Sequence, residues 1–261
     1  MDSNDVLKKI EAHYIEIQSE IDDASDDAAE KFANCEQRIF ELIEQICELL
    51  GDGKIAADWK SDQKLKKLKA MIEEIRLDVA DELVDELSAT SRKNAEKENS
   101  FFLFLFSMFA SSGQAVSAAE IGKILKYGKY HGLTQQQIIR KVAQDDAAKI
   151  YEIVADGLTR GMSLADIKTE VQRRMNRTRR YVKTEVDAIL HGVMNDAALA
   201  FAAKNRTFLL YVSVLDMKRC DECGSLEGEM FAFDDPDLPY VPRHTGCRCH
   251  LVPVPEDFRT T

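Results

Sequence analysis

The chain has 261 residues, 45% of them hydrophobic, with only 12 Gly and 5 Pro, which suits a globular or helical protein and excludes a disordered or collagen-like one. Its net charge of −11 is unevenly spread: residues 1–100 carry 26 Asp/Glu against 14 Lys/Arg, and the remainder 20 against 21. Two such parts present different surfaces to different partners.

The opening "MDSNDVLKKI" has acids where a signal peptide needs a basic region and an apolar core. Without an export signal the thiols are expected in a reducing cytoplasm, where clustered cysteines serve as metal ligands more often than as disulfides.

From Val6 to Leu50 apolar residues recur at steps of three and four, through Ile10, Tyr14, Ile17, Ile21, Phe32, Cys35, Ile39, Leu42 and Ile46. That periodicity predicts one long amphipathic helix. "GDG" at 51–53 breaks it, and a second stripe runs through Leu65, Leu68, Ile72, Ile75, Val79, Leu83 and Leu87. Two such helices joined by a glycine turn read as an antiparallel helical hairpin. Cys35 on the stripe and Cys47 beside it read as small buried residues rather than reactive thiols.

"FFLFLFSMFA" (Phe101–Ala110) is about half the length of a membrane-spanning helix. It is read as a buried core or interface helix, with membrane contact as the minority reading. Two helix starts follow, 29 residues apart. In "GLTQQQI" Thr134 is the N-cap with Gln137 three positions on, and Leu133 and Ile138 form a hydrophobic staple. In "GMSLADI" Ser163 and Asp166 form the box, with Met162 and Ile167 as the staple. The helix from Ser163 is basic, with Lys168, Arg173, Arg174, Arg177, Arg179, Arg180 and Lys183. In an acidic protein this run can meet phosphate backbone, an acidic partner or the chain's own hairpin. Arg173, Arg174, Arg177 and Arg180 are the candidate nucleic-acid or partner contacts.

"TFLLYVSVLD" (207–216), aromatic and β-branched, predicts a strand. The prolines and the clustered cysteines follow it. Cys220-x2-Cys223 and His244-x2-Cys247 share one spacing, and Cys249 lies one residue beyond. Two intervening residues let a tight turn aim both side chains at one ion while main-chain N–H groups turn toward the sulfurs. Two such turns supply the four ligands of a closed structural zinc site. Cys249 is the alternative to Cys247, since alternate residues of an extended segment point to opposite sides; His250 is a weaker candidate. A redox or disulfide arrangement and simply packed thiols are the competing readings. A catalytic zinc would need an open position, which this donor-rich set does not suggest.

The ordered combination "LDMKRCDECGSLEGEMF…PYVPRHTGCRCHLVP" resembles the C-terminal signature of the phage Mu F-like head morphogenesis family, the minor capsid proteins of tailed phages. The matching residues are Asp216, Cys220, Cys223, Leu226, Gly228, Pro242, His244, Cys247, Arg248 and Cys249. Upstream, Arg180, Thr184 and Glu185 are similar to the family's arginine and Thr-Glu helix, and "GMSLADI" fits the same layout. Where the family commonly has His-Pro-Asn, this chain has His244-Thr245-Gly246. The resemblance covers roughly residues 115–255; nothing in the acidic hairpin carries it.

The resemblance implies a low-copy protein inside the phage head near the portal, assembled in the host cytoplasm and acting in head assembly or in DNA packaging or delivery. Its implied partners are the portal, other capsid proteins and packaged DNA, with no small-molecule substrate and no catalysis. Asp216 and Glu185 are assigned structural roles, Glu185 and Arg180 as anchors of the zinc module on the helices. A zinc-stabilised DNA-binding protein is the alternative, and a toxin-like enzyme using Glu185 beside Arg180 a more distant one. The expected architecture is mainly α: an acidic hairpin over 1–100, a helical domain over 101–206 holding the Phe-rich segment and basic helix, and a small zinc-stabilised β/loop module over 207–261.

Overall fold

The computed structural model describes residues 3–50, 63–213, 220–244 and 246–258. The described residues are mainly helical, at 73% helix. The helices are α1 (Ser3–Asn34), α2 (Glu36–Leu50), α3 (Gln63–Met108), α4 (Ala118–Tyr127), α5 (Gln135–Thr159), α6 (Leu164–Asn205) and the single turn α7 (Asp221–Gly224). Three short strands, β1 (Phe208–Val212), β2 (Met230–Ala232) and β3 (His250–Val254), complete the elements of the described residues. It divides into two compact units, each assembled from segments distant in sequence.

One unit takes 1–24, 87–135 and 186–261. Here α1 and α3 run antiparallel: Tyr14 meets Glu98, Glu16 meets Lys97 and Glu20 meets Lys93, so partner numbers fall along α3 as they rise along α1. Phe102 and Phe106, the buried face of the Phe-rich segment, pack edge-on against Phe201 of α6, with ring centroids 5.4 and 5.2 Å apart. That segment is the last turns of α3 rather than a helix of its own, and Phe104 on its other face is 47% exposed. Ser117 and Glu120 close a capping box at the start of α4.

The sheet has the order β2-β1-β3, antiparallel throughout. Phe208 faces Val254 and Val212 faces His250 across β1 and β3. Pro253, which cannot donate to a ladder, lies on the edge strand β3, where a proline is tolerated. The predicted strand thus forms over 208–212, while residues 214–216 lie outside the described residues.

The other unit takes 25–86 and 136–185. Its core joins Ile39, Ile43 and Ile46 of α2, Leu65, Leu68 and Ile72 of α3, Ile150 and Val154 of α5, and Ile167, Val171 and Met175 of α6. Lys31 pairs with Glu86, again antiparallel. Cys35 is buried and Cys47 packs against this core, as small apolar residues do. Ser163 caps α6, its hydroxyl accepting from Asp166 N–H at 3.2 Å and bonding the Asp166 carboxylate at 2.6 Å. α5 begins immediately after Thr134.

The helix expected to run unbroken from Val6 to Leu50 is interrupted at Cys35. The cause is Arg76, whose Nη1 donates to the Phe32 carbonyl at 2.7 Å and to Cys35 Sγ at 2.9 Å. A side chain inserted into the main-chain ladder takes the carbonyl the next turn would have used. The guanidinium is 1% exposed, and its Nη2 pairs with the fully buried Asp146 at 2.8 Å. The "GDG" turn lies outside the described residues.

Candidate metal centre

Cys220 is the N-cap of α7, and its sulfur accepts the Cys223 N–H at 3.4 Å. This is the N–H-to-sulfur turn that the two-residue spacing predicts. The second turn closes with Cys247 N–H donating to the His244 carbonyl at 3.0 Å. Gly246, at φ 73°, supplies the left-handed residue this turn needs.

The two turns meet. His244 Nε2 lies 3.3 Å from Cys220 Sγ and 3.5 Å from Cys223 Sγ, and Cys223 Sγ lies 4.0 Å from Cys247 Sγ. Cys220, Cys223 and His244 form one set with all donor atoms within 4.8 Å of one another, and Cys223, Cys247 and Cys249 form a second. Cys223 belongs to both. A tetrahedral zinc with Zn–S of about 2.3 Å and Zn–N of about 2.0 Å holds its ligand atoms roughly 3.5–3.8 Å apart. The observed separations fit that ion, and the donor set is one that could hold it.

The surroundings also suit thiolates. Tyr211 is buried in the central strand with its hydroxyl lacking an oxygen or nitrogen partner. Burial raises its pKa, and the adjacent Cys223 and Cys249 sulfurs raise it further, keeping the hydroxyl protonated and able to donate to sulfur. A hydrogen bond from Cys249 holds the Cys247 thiol down, to about 5, and the same bond pushes Cys249 up.

The module is fastened to the helices of its unit by residues that sequence reasoning did not select. Asn195 of α6 donates to the Cys249 carbonyl at 3.2 Å and accepts from Leu251 N–H at 2.7 Å. Tyr14 of α1 stacks on His250 at 3.8 Å, and His191 of α6 lies 5.2 Å from the same ring. His250 is therefore built into this stack and paired with Val212 in the sheet. Burial, followed by His191 and His13, keeps its imidazole neutral. Glu98 receives both His13 Nε2 at 2.8 Å and Tyr14 Oη at 3.0 Å. No spacing rule links positions this far apart in sequence; only an isolated Asn or His amid an apolar helical stretch gives a signal.

The remaining selected residues sit elsewhere. Asp216 lies outside the described residues. In the second unit Glu185 is 8% exposed and bonded to the Tyr181 hydroxyl, which burial and this bond push up to about 12. Arg173 pairs with Glu170, and Arg174 Nε with Asp146 at 2.9 Å. Arg177 and Arg180 are exposed, with no carboxylate paired to them among the described residues. Much of the basic helix is taken up by acids of the same unit: Lys168 by Glu44, Arg179 by Glu36 at 2.7 Å, Lys183 by Asp26.

No curated protein and no solved structure matches the chain. The segment carrying the second half of α5, all of α6, β1 and every candidate metal ligand does have a counterpart: residues 148–252 match the family of Phage Mu protein F like proteins, the family its Cys/His signature resembles.

Proposed function

We propose that this chain is a minor protein of a tailed-phage head, assembled in the host cytoplasm and seated inside the virion near the portal, where it contributes to head assembly or to DNA packaging and delivery. The observation that carries this reading is the family match over 148–252, which contains both Cys/His turns in folded, converging form. Its partners are the portal and other head components.

Within that role the C-terminal module is held by a structural zinc. The ligands are Cys220, Cys223, His244 and Cys247, chosen because Cys247 lies 4.0 Å from Cys223 and its turn repeats the first. Cys249, bonded to Cys247, supports the site from outside it. Such an ion does folding work rather than chemistry, because four protein ligands leave no position for substrate. No catalytic step is assigned; Glu185, the carboxylate considered for transferase chemistry, is buried and bonded to Tyr181.

Quantitative mass spectrometry of virions, before and after triggered DNA ejection, tests the location by counting this chain against the portal subunit. A few copies per virion that leave with the DNA mark a delivered head protein. Copies retained at a fixed ratio to the portal mark a structural connector. Absence from virions overturns the reading.

A further inference from the structure

A second basic surface, absent from the arginine run of α6, lies around the end of α4. Lys123, Lys126 and Lys129 are all exposed, and among the described residues none is paired with a carboxylate. Other cations of the same unit are paired: Lys97 reaches Glu16 and Glu20, and Lys204 reaches Glu120. Lys123, Lys126 and Tyr127 share one helix face, at spacings of three and four. The Lys126 ammonium sits 5.1 Å from the centroid of the Tyr127 ring. Tyr127 is 64% exposed and Tyr240 50% exposed, two of the five large hydrophobic side chains that the described residues leave in solvent.

This surface is built, not loose. The Tyr240 hydroxyl donates to the Lys129 carbonyl at 2.7 Å. Tyr130, 2% exposed, exchanges main-chain bonds with Leu133 at 2.8 and 3.2 Å and donates its hydroxyl to Asp196 at 3.3 Å. With Tyr130 pinned inward, its neighbours Lys129 and His131 are held outward, His131 at a left-handed φ of 52°. Helix-dipole stabilisation accounts for Lys123 and Lys126 near the C-terminus of α4. It does not account for Lys129, which lies past the cap, or for two tyrosine rings left in water.

We infer that the α4 terminus and the loop after it form a polynucleotide-binding surface, with Lys123, Lys126 and Lys129 on the phosphates and Tyr127 and Tyr240 against bases or sugars. Amines alone would serve an acidic protein equally well; amines interleaved with open aromatic faces are the arrangement that strands of nucleic acid select. The inference rests on the head-protein reading only for DNA being the polymer at hand.

The test is fluorescence anisotropy of the full chain with labelled DNA of about 30 nucleotides, single- and double-stranded, between about 50 and 200 mM salt. Three phosphate contacts predict an affinity that falls roughly 40-fold over that range for the duplex and roughly 20-fold for the single strand. The variant Lys123→Gln/Lys126→Gln/Lys129→Gln should lose most of the binding and of the salt dependence, and the triple Lys→Arg variant should keep both. Tyr127→Ala should weaken the single strand more than the duplex. Undiminished binding by the triple Gln variant, equal affinity for polyglutamate, or no binding by the parent chain at about 50 mM salt overturns the assignment. None of those results bears on whether the chain is found in virions, which the mass spectrometry decides separately.

Discussion

The side chain of Asn195 bonds the main chain on both sides of His250: its amide nitrogen donates to the Cys249 carbonyl, and its oxygen accepts from Leu251 N–H. One α6 residue thus fixes the strand that follows directly on the candidate metal ligands. Removing it leaves a buried carbonyl and a buried N–H unpaired, each costing about 1–3 kcal/mol. Asn195→Ala should therefore destabilise the protein by about 2–6 kcal/mol, read as a lower denaturant midpoint at unchanged m-value. Asn195→Asp retains the acceptor for Leu251 and loses the donor to Cys249, and should fall between the two.

Gly192 of α6 exists for Tyr130. A Cβ at position 192 would stand 2.0 Å from Tyr130 Cε1 and 2.2 Å from Cδ1, separations no packing tolerates. Gly192→Ala should cost about 3 kcal/mol or more, although alanine is the better helix former. Tyr130→Ala in the same chain should relieve part of that loss, so a double-mutant cycle in thermal unfolding should show strong non-additivity. Additive effects would mean that the ring is not what the glycine accommodates.

These two contacts mark where sequence reading stops. Period and spacing sufficed for the long stripes, for the Ser163 cap and for the paired Cys/His turns, because each is a local rule. Ser117-x-x-Glu120 obeys the same rule. The break at Cys35 was not readable, since Arg76 occupies a position that looks solvated and becomes almost wholly buried only when Asp146 meets it. For the charges of α6 the chain's own acidic hairpin was one legible partner, but not which of its acids they meet. Their partners Glu36, Glu44, Asp26 and Asp146 are scattered over more than a hundred residues, and pairing across such distances has no period.

Asp146 holds together the most deeply buried charge cluster of its unit, receiving Arg76, Arg174 and the Thr178 hydroxyl. Removing the carboxylate leaves Arg76 buried and uncompensated, so Asp146→Ala should cost about 3–5 kcal/mol. Glu36→Ala, which frees the part-exposed Arg179, should cost about 1 kcal/mol. Replacing both Arg76 and Asp146 by apolar residues should be far milder than Asp146→Ala alone. Chemical denaturation of the four proteins decides the order.

The zinc proposal makes a graded prediction. Metal analysis of protein purified without chelator should give about one zinc per chain. Cys223→Ser should abolish it, since Cys223 is common to both donor sets, and Cys220→Ser and His244→Ala should do nearly the same. Cys249→Ser should keep the metal and bind it more weakly, as loss of a supporting group does, by about 10-fold or more. Chelation should open the segment 220–254 to protease before the helices melt. A metal-free protein whose clustered thiols all titrate freely while the segment stays protected would refute the site.

Asp196 sets a pH dependence of opposite sign to an ordinary surface carboxylate. Burial raises its pKa from 3.8 to about 6, against the smaller lowering effect of the Tyr130 hydroxyl. The folded state therefore holds the proton more tightly than the unfolded chain. Its stabilising contribution is fully present below about 3.8, the unfolded value, and is lost as the pH rises through about 6. Allowing for partial solvent access, the loss is about 2 kcal/mol. Asp196→Asn, which cannot ionise, should flatten the difference in unfolding free energy between acid and neutral pH, and at neutral pH it should equal or exceed the parent in stability. The same slope in both proteins would place the titrating group elsewhere.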